Sequence, residues 1–211
     1  MFDIEYKGGN TVVIATKKAT IITDPKLSVV GLKDLVTKEA IEVSTEARFA
    51  VNGADARLFI EGPGEYGIAT FDITGISAQR HLDSEKDEML STMYRIQIGD
   101  VRIALIGNIY EKLSEDQLEA IGIIDILIIP VGGSGYTLDA TGASTLVRSI
   151  DPKVVIPVHY ADDALTYEVP QDTVDTFVKE LGAPVEVVAK YKVKQSGSLP
   201  ASLTIVQVTR S

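Results

Sequence analysis

The sequence predicts an α/β protein, either two sheets packed face to face with helices outside or one mixed sheet covered by helices. Two observations carry this. Short apolar runs separated by Gly, Pro and Asn come first and read as strands, and strands then alternate with helices. Residues 123–160, IIDILIIPVGGSGYTLDATGASTLVRSIDPKVVIPVHY, read as strand, helix and strand with short connections, the pattern of a right-handed parallel crossover. The length suits one large domain, and a single domain over 1–211 is expected. A chain of this size buries roughly 70% of its unfolded surface without disulfide or metal staples.

In chain order, residues 2–6, 11–16 and 20–23 read as strands. Gly8-Gly9-Asn10 makes the first turn, because Gly and Asn tolerate positive φ. A strand is expected near Ile41–Ser44 and another over Arg57–Glu61, closed by a turn at Gly62-Pro63-Gly64-Glu65-Tyr66. Residues 68–77 read as a strand and the acidic stretch 81–90 as an exposed loop. Residues 92–98 and 101–106 alternate around Gly99-Asp100, a hairpin signal. Ser114 and Gln117 form a capping box that opens a helix to about Ile121. Residues 125–129 are a buried strand stopped by Pro130. The next helix places Ala143, Leu146, Val147 and Ile150 on one face and ends at Asp151-Pro152. Val154–Ile156 leads through Pro157 to His159, just past the carboxyl end of a central strand, where such sheets place their chemistry. Pro170 is expected to start a last helix, and 185–188 and 202–208 the last strands.

Composition narrows the chemistry. Without cysteine there are no disulfides, thiolate ligands or cysteine nucleophile. A net charge of −10 disfavours binding to nucleic acid or to an anionic membrane. No stretch reads as a leader or approaches the ~20 apolar residues of a membrane span, so a cytoplasmic protein is expected. Two histidines are too few for a His-rich site holding two metals.

A set of motifs, in this order and spacing, resembles the metallo-β-lactamase fold, in the branch of ascorbate-6-phosphate-lactonase-like proteins. The pieces are ITDP ending at Pro25, GPGEY at 62–66, YRIQIGDVRIALIGN at 94–108, LSEDQLEAIGIIDILIIPVGG at 113–133, TLDA at 137–140 and DPKVVIPVHY at 151–160. The resemblance implies a four-layer αββα sandwich with a metal site at one edge between the sheets. It also implies a His-x-His-x-Asp-His ligand motif after the strand that follows ITDP. Here the matching stretch is residues 43–50, and the ligand positions hold Thr45, Ala47, Phe49 and Ala50. The family's bridging aspartate is matched by Asn108, whose amide lacks the carboxylate charge. His81 lies in the third ligand region and His159 matches the last histidine.

The expected relic site is therefore His81, Asn108, His159 and Asp24, with no metal or other cofactor. His81, Asp83 and His159 are the remaining candidates for weak metal binding. Gly132, Gly133, Ser134 and Gly135, ahead of a helix start, could hold an anion on backbone N–H groups or simply turn the chain. Three functions stay open. The first is a binding or structural homologue of metal-dependent hydrolases that has lost most metal ligands, with a small-molecule ligand in the old cleft. The second is a hydrolase with a reduced zinc or other divalent site, acting on a phosphorylated or lactone-like substrate. The third is a structural homo-oligomer.

Overall fold

A computed structural model describes residues 1–82 and 89–211. The fourteen strands found among them form two sheets, and three α-helices follow in the second half of the chain.

The six-stranded sheet holds β1 (Phe2–Gly8), β2 (Thr11–Thr16), β3 (Thr20–Thr23), β4 (Ile41–Ser44), β5 (Leu58–Glu61) and, beside β1, the strand β13 (Tyr191–Val193). The eight-stranded sheet holds β6 (Gly64–Ile68), β7 (Phe71–Ala78), β8 (Ser91–Ile98), β9 (Val101–Leu105), β10 (Ile126–Pro130), β11 (Val154–Val158), β12 (Val185–Val188) and β14 (Thr204–Val208). Helix α1 (Glu115–Ile121) packs on β7, α2 (Ala140–Ile150) on β10, and α3 (Val174–Leu181) against α2. The expected class, mixed α/β with two sheets and outer helices, is the observed one.

Local chemistry explains most boundaries. In α1 the Ser114 Oγ accepts from Gln117 N while Gln117 Oε1 accepts from Ser114 N, so two orphan donors are satisfied reciprocally. In α2 the Asp139 carboxylate caps Gly142 N at 2.7 Å, and Asp151 ends the helix in the left-handed region, φ 53°. Strands β10 and β11 run parallel around α2, Ile126 opposite Val154, and every residue of both is buried. One core joins the inner faces of the sheets to α2.

Four expectations change. Gly64–Ile68 is not turn but the edge strand β6, paired antiparallel with β7; only Gly62-Pro63 turns the chain. Pro130 is the last residue of β10, opposite Val158, so the strand ends at the proline rather than before it. The helix predicted from Pro170 starts at Val174, because 170–172 is held extended: Asp172 N donates to Gly132 O and Ala161 N to Asp172 O. Tyr191–Val193 is a strand too short to show a period, recognised only through its pairing with β1. Asp83 lies outside the described residues.

Candidate functional site

The carboxyl ends of β3, β4, β9 and β11 converge at one end of the sandwich, together with the turn between β1 and β2. Asp24 follows β3, Thr45 follows β4, Asn108 follows β9, His159 follows β11, and Asn10 sits in the turn. Two of these buried residues, Asp24 (φ 44°) and His159 (φ 50°), hold left-handed backbone conformations. Such strain in side-chain-bearing residues collects at functional sites, where surrounding structure imposes it.

Asp24, Asn10, Asn108 and His159 each have a side-chain partner within the protein. Asp24 is 2% exposed and accepts from Thr45 N at 2.7 Å and Thr45 Oγ1 at 2.8 Å. Thr45 is pinned further because Thr92 N and Ser91 Oγ donate to its carbonyl oxygen, which ties the two sheets together. Burial pushes the Asp24 carboxyl up to about 7, against the two Thr45 hydrogen bonds that favour the anion, with Glu46 adding to the rise. Asn10 Nδ2 donates to Asn108 Oδ1 at 3.0 Å, leaving Asn10 Oδ1 and Asn108 Nδ2 buried without partners among the described residues.

His159 is 3% exposed, its Nδ1 lies 3.2 Å from Gln171 Oε1, and its ring stacks on Tyr136 at 5.8 Å and tilts against Tyr167 at 4.8 Å. Burial lowers its pKa to about 4, so it is neutral at pH 7. The other histidine, His81, is joined to this end through His81 N donating to Asn108 O at 2.9 Å, and its Nδ1 is buried without a partner among the described residues.

The centre itself is filled. Phe49, at the end of a 3-10 turn (Ala47–Phe49), is 5% exposed and borders two small cavities, of about 10 Å³ each, that also touch His159. Such a space holds about one water. Arg48 covers the plug: its guanidinium lies 4.6 Å from the Phe49 ring centroid and 4.9 Å from that of Tyr136. Arg48 also donates to the Tyr136 hydroxyl at 2.6 Å and forms a two-point pair with the buried Glu46, at 2.8 and 3.1 Å. Beside this cover lies an open cleft of about 430 Å³, with Thr45, Arg48, Pro63, Arg80 and Met89 among its walls.

The predicted site residues thus fall into three groups. Asp24, Thr45, Phe49, Asn108 and His159 come together, with His81 at their edge. Ala50 is buried beside Phe49 in sequence, whereas Ala47 is exposed on the cleft wall. The glycine run stands apart in role. A side-chain carbon at Gly132 would meet Gln171 and the His159 carbonyl at 2.3 Å, and one at Gly133 would meet Asp139 at 3.2 Å. With the Asp139 carboxylate already on the α2 terminus, these contacts suit a tightly packed turn better than an anion cradle. Asn10, Glu46, Arg48, Tyr136, Tyr167 and Gln171 belong to the site but carry no spacing signal in the sequence. Among the described residues, no group of three or more His, Cys, Asp or Glu side chains is arranged to hold a metal ion.

Over 81 residues the chain is 37% identical to a UPF0173 metal-dependent hydrolase of Thermoplasma acidophilum, a match covering 33% of this chain and 36% of that protein. Over 62 residues it is 32% identical to a UPF0173 protein of Pyrococcus furiosus, covering 29% and 28%. These matches span about a third of the curated relatives' length. Among solved structures, a candidate Zn-dependent hydrolase of the metallo-β-lactamase superfamily from Thermotoga maritima superposes with a TM-score of 0.78 at 20% identity, over 99% of this chain and 100% of that one. A metallo hydrolase of Ignicoccus hospitalis superposes with a TM-score of 0.64 at 16% identity, over 99% and 95%. Both likenesses are of fold. The profile of the Beta-lactamase superfamily domain matches residues 3–159, about three quarters of the chain, and the protein belongs to that family.

Proposed function

We propose that this chain is a superfamily member whose metal centre has been replaced by side-chain packing, and that it acts by binding rather than by hydrolysis. The observation that carries the reading is Phe49, at a position where the resemblance puts a metal-site aspartate. It is buried, capped by Arg48, and leaves about 10 Å³ on either flank. Zinc needs about four N, O or S donors at ~2.0–2.3 Å. The donors near Phe49 are a carboxylate engaged by Thr45, an amide engaged by Asn10 and a ring nitrogen engaged by Gln171, so the described residues do not fit the metal. The open cleft beside the plug is the place for a small ligand. The motif order supports the ascorbate-6-phosphate-lactonase-like branch as the nearest part of the family.

A second reading, a reduced metal-dependent hydrolase using His81, His159 and Asp24, draws on the unpartnered Nδ1 of His81 and on the names of the relatives. Metal analysis and calorimetric zinc titration separate the two. The protein as purified should hold no stoichiometric zinc and bind none in the micromolar range. A chelator should move its melting temperature by less than ~2 °C, below the effect of 1 kcal/mol in a domain this large. The variant Thr45→His, Ala47→His, Phe49→Asp, Ala50→His and Asn108→Asp should gain micromolar binding, limited by an unoptimised surrounding shell. Tight binding of one or two equivalents by the parent would replace the first reading with the second.

A further inference from the structure

The opposite end of the sandwich holds another cavity, of about 430 Å³, within the size range of small-molecule sites. It forms where the β2–β3, β6–β7 and β8–β9 turns meet the chain leaving β13. Its apolar lining includes Phe2, Ile98 and Val101, all buried. Around them stand the exposed Lys17, Lys18 and Lys194, against a single carboxylate, Asp100.

The charge count sets this cavity apart. Three lysines and one aspartate line it, on a chain whose net charge is −10. Asp100 is also engaged elsewhere, accepting from Ser196 Oγ at 2.6 Å and Ser196 N at 3.2 Å. Among the described residues none of the three lysines forms an ion pair with a carboxylate. The cleft beside Phe49 balances Arg48 and Arg80 with Glu46 and Glu61, and the groove between α1 and α2 balances Lys112 with Glu111. The lysine-bearing turn is set in advance. Thr16 Oγ1 accepts from Lys18 N and Ala19 N and donates to Ala19 O.

We propose that this cavity binds a small amphipathic anion, with its phosphate or carboxylate head against Lys17, Lys18 and Lys194 and its short apolar tail on Phe2, Ile98 and Val101. Like charges held around one concavity raise the local concentration of anions, and the head group relieves their mutual repulsion. The apolar lining adds the burial energy that inorganic phosphate cannot gain. A soluble alkyl phosphate and a lipid head group share this chemistry, and the two are separated by the vesicle arm of the test.

The test is calorimetric titration of the full chain with octyl phosphate, with octanol, inorganic phosphate and anionic vesicles as comparison arms. Octyl phosphate should bind one-to-one with a dissociation constant on the order of 100 μM. Octanol and inorganic phosphate should bind at least about tenfold more weakly, and added salt should weaken the octyl phosphate complex. The variant Lys17→Gln, Lys18→Gln, Lys194→Gln should lose about tenfold or more with an unchanged melting temperature, because all three side chains are exposed. Amide shifts on binding should fall at Thr70 and Gly99 and spare His159. Absence of saturation by millimolar octyl phosphate, equal binding by the lysine variant, or shifts centred on His159 would overturn the proposal. Vesicle binding that exceeds octyl phosphate binding would overturn it in favour of a membrane surface.

Discussion

Phe49→Ala is the perturbation that most directly probes the filled centre. Truncating a buried phenylalanine removes its transfer free energy and leaves a cavity, typically at a cost of ~3–5 kcal/mol. Phe49 stands near the lower end, since it is 5% exposed and already borders two small spaces, so its ring makes fewer contacts to lose than a fully enclosed one. The ring also supports the Arg48 guanidinium at 4.6 Å, a contact worth about 0.5–1 kcal/mol. The expected loss is about 3 kcal/mol, or about 6–12 °C in melting temperature for a chain this long. Thermal melting gives the shift, and urea unfolding with an unchanged slope would confirm that the native state is otherwise intact. Phe49→Asp should fall further than Phe49→Ala in metal-free buffer, because it adds a second carboxylate to the small cavity that Asp24 already lines. A drop below about 3 °C for Phe49→Ala, or Phe49→Asp more stable than Phe49→Ala without metal, would refute the view that packing holds this centre.

Arg48 and Tyr136 should couple: in a double-mutant cycle of Arg48→Met and Tyr136→Phe, chemical unfolding should return an interaction of about 1 kcal/mol, from the 2.6 Å hydrogen bond to the hydroxyl, since phenylalanine keeps the ring beside the guanidinium. The two buried titrating groups predict a pH signature. Asp24 has its folded pKa raised to about 7, so its stabilisation is present below its unfolded pKa near 4 and is lost as pH rises through 7. His159 has its folded pKa lowered to about 4, so its stabilisation is present above its unfolded value near 6.5 and is lost as pH falls through 4. Between those limits the two oppose each other. Asp24→Asn should unmask His159, and its urea midpoint should decline by the equivalent of about 2–3 kcal/mol more than the parent's between pH 6.5 and 4.5. Parallel pH profiles for the two proteins would show that these groups do not titrate as described.

How much was legible in the sequence depended on the range of the interactions. The capping box at Ser114 and Gln117, the hairpin at Gly99-Asp100 and the strand–helix–strand unit ending at His159 rest on contacts a few residues apart or on apolar periodicity, so they could be read directly. The motif order carried the family, and the meeting of Asp24, Thr45, Asn108 and His159 followed from it. Residues with no local signature were not legible. Tyr191–Val193 is a strand only because β1 lies beside it, and residues 170–172 stay out of the helix because Gly132 and Ala161 hold them extended.

The tertiary structure alone decided the character of both ends of the sandwich. Arg48, Phe49, Tyr136 and His159 form one continuous stack although they span more than a hundred positions in the chain. Lys17, Lys18 and Lys194 meet across an even longer separation. Side-chain stacking, desolvation and charge convergence depend on distance in space. Local sequence determines turns and periodic faces, while sheet pairing determines which distant side chains share a cavity and how far burial shifts their protons.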